Sequence, residues 1–255
     1  MYPRAVRSTR PTWLLIDISN SFTKVAFATA DKVAKPSRIP TRELTTAAIR
    51  NMLQRRRINA LIVSSVVPRK NAAVRSAAAG RKTLFINHAI ELGVGVDYPN
   101  PQTIGADRLA NAAAVAELYG CPAIVVDFGT AVTFDVVSRE RNYIGGVIAP
   151  GLESMTTFLY QRTALLPKLA LREPARAIGR STRAAMLAGA VHGYRGLVAE
   201  ILQRIRAEMS ASKRLRIVAT GGYAELIARQ MPQIQAVRPN LTLEGLRIIA
   251  ARNFC

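Results

Sequence analysis

The chain has 255 residues, room for one large domain or two of ordinary size, and its 49% hydrophobic content is enough for a full core, which excludes a disordered chain. Thirty-six Lys and Arg stand against 16 Asp and Glu, a formal charge of +20 that attracts acidic molecules but says nothing about fold. Two cysteines, Cys121 and Cys255, exclude a disulfide framework, and no Cys/His cluster is present for structural zinc.

The first ten residues carry Arg4, Arg7 and Arg10 without an acid and read as a basic tail. No apolar run approaches the roughly 18 residues that a membrane helix needs, and a reducing cytoplasm is the expected address. Residues 12–18 form a bulky apolar stretch ending near Asp17 and predict a buried strand. Residues 22–30 predict a second strand paired with it, and 32–39 a third. Leu44, Ala48, Met52 and Leu53 recur at helical spacing, which predicts a helix over 44–57. A strand over 60–67 closed by Pro68, a helix over 71–79 ended by Gly80, and a strand over 83–86 follow. Gly105-Ala106-Asp107-Arg108 opens a helix running to about Leu118.

After Gly120 and Pro122 the pattern restarts. Strands are expected over 123–126, 132–137 and 143–148, then a helix after Pro150. A long amphipathic helix covers 183–209, with Gly189, Gly193 and Gly196 in its first half. A strand over 216–219 runs into Gly221-Gly222, and a helix, a short strand and a final helix over 242–252 close the series. The restart is an internal repeat: Asp17-Ile18-Ser19-Asn20-Ser21-Phe22-Thr23 aligns with Asp127-Phe128-Gly129-Thr130-Ala131-Val132-Thr133. The expectation is a duplicated α/β architecture, 1–120 and 121–255, with a cleft between the halves and an Asp-bearing turn from each facing it.

Only six Asp occur in the chain, and Asp17 and Asp127 both end strands of Leu, Ile and Val. A carboxylate there is costly to bury unless it is paired, hydrogen-bonded or bound to a cation. Ser19, Asn20, Ser21, Thr23 and Lys24 around the first Asp, and Gly129, Thr130 and Thr133 around the second, are the donors of a phosphate cradle. Asp107 beside Arg108 at a helix start reads equally as a base next to an anion-binding guanidinium and as ordinary helix-end charge stabilisation. No GxxxxGK[ST] loop is present and no GxGxxG follows a strand, which disfavours a P-loop kinase and a Rossmann dehydrogenase. His88 and His192 lack a visible partner and read as structural, and neither cysteine has an activator. The basic clusters Arg55-Arg56-Arg57, Arg69-Lys70, Arg81-Lys82 and Arg204/Arg206 read as solvated faces.

DISNSFTK, GADR, DFGTAVTFD, GGVIAPG and TGG, in this order from Asp17 to Gly222, together resemble the type III pantothenate kinases. The resemblance implies the superfamily of acetate and sugar kinases, actin and heat-shock chaperones: duplicated actin-like, ribonuclease H-like domains with a nucleotide cleft between them. It implies phosphorylation of pantothenate to 4'-phosphopantothenate with ATP and Mg²⁺, activation by potassium or ammonium, and a homodimer. Carried over by motif, Asp17, Ile18, Ser19, Asn20, Ser21, Phe22, Thr23 and Lys24 form the first ATP-binding loop, with Asp17 near the magnesium and Thr130 contacting ATP. Asp107 becomes the base for the pantothenate hydroxyl. Tyr98, Gly105, Ala106, Arg108 and Thr182 hold pantothenate, and Asp127 holds the monovalent cation. Ser19 stands where the family has Gly, and Tyr223 where it often has Asp. A degenerate kinase-fold protein that serves as a regulatory or nucleic-acid-binding accessory factor is the alternative, resting on the +20 charge; any such binding would be a nonspecific basic-surface effect.

Overall fold

The computed structural model describes residues 12–54, 57–209 and 214–254; the basic tail, Arg55, Arg56 and Cys255 lie outside the described residues. All six residues of β1 (Trp13–Ile18) are buried, as a near-continuous apolar run between two neighbours must be. β2 (Phe22–Ala28) returns antiparallel to it, and β3 (Ser37–Pro40) pairs antiparallel with β2. The third strand is shorter than expected over 32–39. Residues 29–32 turn, only an isolated Ala28–Val33 bridge follows, and Pro36 has no N–H to give a ladder. α1 (Thr46–Gln54), β4 (Ala60–Ser65), α2 (Pro68–Ala78) and β5 (Lys82–Phe85) complete the first series. Pro68 does more than close a strand: it is the first residue of α2, where a missing N–H costs nothing.

The strands order as β3-β2-β1-β4-β5, with β1, β4 and β5 parallel. Leu14, Ile16 and Ile18 pack with Val25, Leu61 and Val63 against Ile49 and Leu53 of α1 and Val74 and Ala77 of α2. The two-residue period of a strand leaves Trp13, Leu15 and Asp17 on the other face.

A two-residue strand, β6 (Gly95–Val96), carries no sequence signal of its own. It precedes α3 (Ala106–Leu118), then β7 (Ala123–Phe128), β8 (Ala131–Val137), β9 (Asn142–Pro150), α4 (Leu152–Arg162) and α5 (Thr182–Glu208). β10 (Arg216–Gly221), α6 (Ala224–Ala228), β11 (Ala236–Val237) and α7 (Leu241–Phe254) end the chain. The second sheet has the order β11-β10-β7-β8-β9-β6. Without β6 it repeats the first sheet: three antiparallel strands, then two more parallel to the first of them. Ile124, Val126, Phe128, Phe134 and Ile217 pack with Val191, Tyr194, Val198 and Leu202 of α5. The apolar face of α5 is thus spent within the chain, while Gly189, Gly193 and Gly196 lie on its open side.

The chain divides into two compact units, each built on one sheet. The first holds the described residues of Met1–Gly93, Gln102–Ala110 and Thr242–Cys255; the second holds Val94–Pro101 and Asn111–Leu241. The division is discontinuous in sequence, whereas the sequence alone suggests a single boundary after Gly120. Among the described residues no helix is long and apolar enough to cross a membrane. Residues 32–90 hold 13 Lys and Arg beside one acid, Glu43. Of these, Arg38, Arg42, Arg50, Arg57, Arg69, Arg75, Arg81 and Lys82 are exposed, as solvated faces should be.

Between α4 and α5 the backbone has no regular structure, and one buried arginine anchors it. Arg195 donates to both carboxylate oxygens of Glu173 at 2.8 and 2.7 Å, and also to the carbonyls of Ile227 and Leu226. The hydrogen bonds from Arg195 hold the Glu173 carboxyl below its ordinary pKa, so the pair contributes stability above the usual carboxylate range that is lost as pH falls through the lowered value. Arg195→Leu is expected to cost about 2 kcal/mol, less than a fully buried pair because Glu173 can rehydrate. The variant should also lose this acid-side dependence. Thermal denaturation at pH 7 and pH 4 checks both; a wild-type melting profile contradicts the anchoring role.

Candidate active site

In the first unit the site begins at the end of β1. Asp17 is buried at 6% exposure, and Ser64 Oγ of β4 donates to its Oδ1 at 3.1 Å. Lys24 of β2 and Ser64 of β4 are its register partners, so all three side chains share one face of the sheet. Ser19, Asn20, Ser21 and Phe22 form the turn, closed by Ser19 N–H donating to the Phe22 carbonyl. Ser19 is not among the residues of positive φ, so its Cβ imposes no backbone strain. Ile18 is fully buried and offers only backbone. Thr23 is also fully buried, and its hydroxyl lies 3.0 Å from that of Thr41. Thr41 Oγ1 donates to the Ser19 carbonyl at 2.7 Å, and Thr41 N–H to the Ser21 carbonyl. Thr23 and Thr41 therefore brace the turn from behind. The Arg38 guanidinium stacks on the Phe22 ring at 3.5 Å from its centroid.

Asp107 lies in the first turn of α3, also in the first unit. Its carboxyl folds back over Gly105, where a Cβ would stand 2.6 Å from Asp107 Oδ1. Arg108 N–H donates to the same oxygen at 2.8 Å. Burial pushes the Asp107 carboxyl above its ordinary pKa, against the opposing pull of the Arg108 N–H and guanidinium. A carboxylate so raised, with one oxygen held, is a better proton acceptor than an ordinary Asp.

In the second unit the equivalent strand end carries Asp127. Its register partners are Thr133 of β8 and Thr220 of β10. The turn after Asp127 is tighter than its counterpart: Gly129 N–H donates to the Ala131 carbonyl with Thr130 at the tip. It closes one residue sooner, so the spatial equivalent of Thr133 is Lys24, not Thr23. Gly151 lies against this turn, where a Cβ would sit 2.1 Å from the Thr130 carbonyl oxygen. Gly221 has φ +94°, and a Cβ there would fall 2.5 Å from Asp127 Oδ1. Among the described residues the buried Thr220 hydroxyl has no hydrogen-bond partner. Asn111 Nδ2 of α3 lies 3.4 Å from Asp127 Oδ2 and 3.5 Å from Oδ2 of the fully buried Asp135.

Tyr98 packs edge-on against Tyr143 with 6.1 Å between centroids, next to Gly145. Thr182 is exposed at the first position of α5, just after Ser181, which caps the helix by accepting from Ala184 N–H. Tyr223 Oη donates to Glu153 Oε2 at 3.0 Å, a tie that an Asp at this position would not make. Thr41, Ser64 and Asn111 are the site residues that sequence reasoning missed, while Thr220 stood in the TGG motif without a role for its hydroxyl. Asn111 had a signal, as the sole polar side chain in the run from Leu109 to Ala116. Among the described residues no three His, Cys, Asp or Glu group to hold a metal. Burial pushes the Cys121 thiol above its ordinary pKa, against the pull of the Arg141 guanidinium.

Residues 13–204 match the model of a family described as type III pantothenate kinase. A type III pantothenate kinase of Akkermansia muciniphila is 49% identical over 95% of this chain and 99% of its own. The solved structure of a putative Baf family transcriptional activator from Campylobacter jejuni covers 94% of this chain and 98% of its own at 18% identity and TM-score 0.61. That of a putative N-acetylglucosamine kinase from Porphyromonas gingivalis covers 95% and 99% at 14% identity and TM-score 0.54. At these identities the two structures speak to fold alone, and the fold is a duplicated actin-like one.

Proposed function

The chain belongs to the type III pantothenate kinase family, and we infer that it catalyses ATP-dependent phosphorylation of pantothenate to 4'-phosphopantothenate, the first step of coenzyme A synthesis. The observation that carries the reading is Asp107: a carboxyl raised by burial, one oxygen held by the Arg108 N–H, at the start of a helix. Asp107 accepts the proton of the primary hydroxyl as that oxygen bonds to the γ-phosphorus and ADP departs with the bridging oxygen. Arg108 binds the pantothenate carboxylate, Gly105 and Ala106 line the approach with backbone, and Tyr98 and Thr182 contact the rest of the substrate.

For ATP, the turn of Ser19, Asn20, Ser21 and Phe22 offers N–H and hydroxyl donors, and Lys24 a charge. Thr130 does the same at the second turn. Thr23 acts from behind, through Thr41. Asp17 fits a role toward a divalent metal: its carboxylate is buried yet held by Ser64, on the face that also carries Lys24. The divalent ion used with ATP offsets charge on the phosphate oxygens.

Asp127 is the residue for a monovalent cation, potassium or ammonium. Two features support that fit: the unpartnered Thr220 hydroxyl, in register beside Asp127, and the space kept open by Gly221 at Asp127 Oδ1. A homodimer is part of the same reading, supported by exposed Ile144 and Ile148 on β9 and Met155, Phe158 and Leu159 on α4. Cytoplasmic residence follows from the substrates.

The test is conversion of pantothenate to phosphopantothenate by the purified protein with ATP and magnesium, in potassium and in sodium. Product in potassium with little in sodium is expected. A folded protein that forms no product overturns the reading, and equal rates in the two salts overturn the cation assignment.

A further inference from the structure

One face of the second sheet carries a buried polar group that the reaction as described does not use. Register places Asp127, Thr133, Asp135 and Thr220 on this face: Asp127 opposes Thr133 and Thr220, and Asp135 opposes Val125, two residues before Asp127 on β7. The opposite face is apolar and faces α5. Asp135 has no exposure at all and lies beside Asn111, whose one amide nitrogen is within 3.5 Å of oxygens from both Asp135 and Asp127. A carboxylate buried in a sheet is costly, and an apolar residue would serve packing better. Its position instead suits the Asn111 amide, whose two hydrogens allow one nitrogen to serve Asp135 and Asp127 together.

The Asp127 carboxylate has a neighbour at each oxygen. Oδ2 meets the Asn111 amide, and Oδ1 lies over Gly221, where a methyl group would collide with it. We propose that Asn111 and Asp135 are positioning residues for Asp127, with Asp135 acting through the Asn111 amide to aim the Asp127 carboxylate at the monovalent cation. The inference rests on the reading of Asp127 as the residue that holds that cation. Neither Asn111 nor Asp135 needs to touch substrate. Partners that orient a metal-binding side chain in this way typically change metal affinity or activity ~10- to 100-fold when replaced.

The test compares Asp135→Asn, Asn111→Ser, their double variant and Asp127→Asn in the full-length protein. Two readouts are taken: the potassium concentration for half-maximal activity, and the rise in melting temperature in potassium over sodium at equal ionic strength. Asp135→Asn preserves shape and is the variant most certain to fold. We expect it, like Asn111→Ser, to raise the half-activating concentration at least tenfold and to shrink the potassium-specific rise in melting temperature. The double variant should be no worse than Asn111→Ser alone, because Asp135 acts through Asn111. A lower melting temperature with unchanged response to potassium marks a structural role only and overturns the proposal, as does an additive double variant. If Asp127→Asn itself keeps the wild-type response to potassium, the cation assignment fails and this inference with it. A strong Asp127→Asn effect beside an unaltered Asp135→Asn overturns the inference alone.

Discussion

Asp107→Asn is expected to lower kcat for pantothenate phosphorylation by ~10²- to 10⁴-fold, the usual cost of removing a well-placed base. The KM for pantothenate should move little, because Arg108 remains and Asn keeps the shape that folds over Gly105. Stability should go the other way. The folded-state pKa of Asp107 is raised by burial, so its ionised form costs the fold free energy at neutral pH. The sign is that of a carboxyl whose contribution is favourable at low pH and lost as pH rises through the raised value. Replacing it with a neutral amide removes that cost, and the variant should melt at or above the wild-type temperature at pH 7. The wild-type rate, in turn, should fall as pH drops through the raised pKa, since the protonated acid cannot accept the substrate proton. Steady-state kinetics over pH and a thermal melt at pH 7 check all three. A variant with near-normal kcat removes Asp107 from the role of base.

Gly221→Ala is the second large effect. The position has φ +94°, which side chains rarely adopt, and the added methyl would lie 2.5 Å from Asp127 Oδ1 and 2.6 Å from the Phe128 backbone. Strain at such a backbone costs ~1–3 kcal/mol, and overpacking against a rigid neighbour adds ~1–3 kcal/mol. Phe128 is buried in the core of the second unit and its backbone cannot easily give way. The strand must shift or the Asp127 carboxylate must turn aside. A lowered melting temperature together with a weakened response to potassium is expected. Gly222→Ala is the control, since a Cβ there meets nothing within 4 Å. Equal behaviour of the two variants would contradict the close approach at Gly221.

Much of this arrangement is legible in the amino-acid sequence. β1 and β7 announce themselves as bulky apolar runs with an Asp near the end, and the repeat follows from their shared pattern. The sheets bear it out: both run three antiparallel strands and then two parallel ones. The ungapped match of Thr23 with Thr133 misled, because the second turn closes one residue sooner and the two threonines lie on opposite faces of their sheets. β6 could not be read, since two residues carry no period. Thr41 and Ser64 were hidden for a different reason. Each reaches its partner from far along the chain, across 18 residues to Thr23 and 47 to Asp17, and no local pattern records such a contact. The raised carboxyl of Asp107 likewise depends on burial, which the tetrapeptide at its helix start does not specify.

The exposed arginines and lysines between residues 32 and 90 give the first unit a standing positive field. Pantothenate and ATP are both anions, so this field gathers them before contact, and dissolved salt weakens it over a screening length of about 8 Å at physiological ionic strength. Any salt should therefore raise the apparent KM of both substrates together, whatever its cation. If Asp127 holds potassium as proposed, that ion acts in two opposed senses, as an activator through one site and as a screen over a whole surface. A titration at fixed ionic strength shows only the first, and one without that control reports their difference.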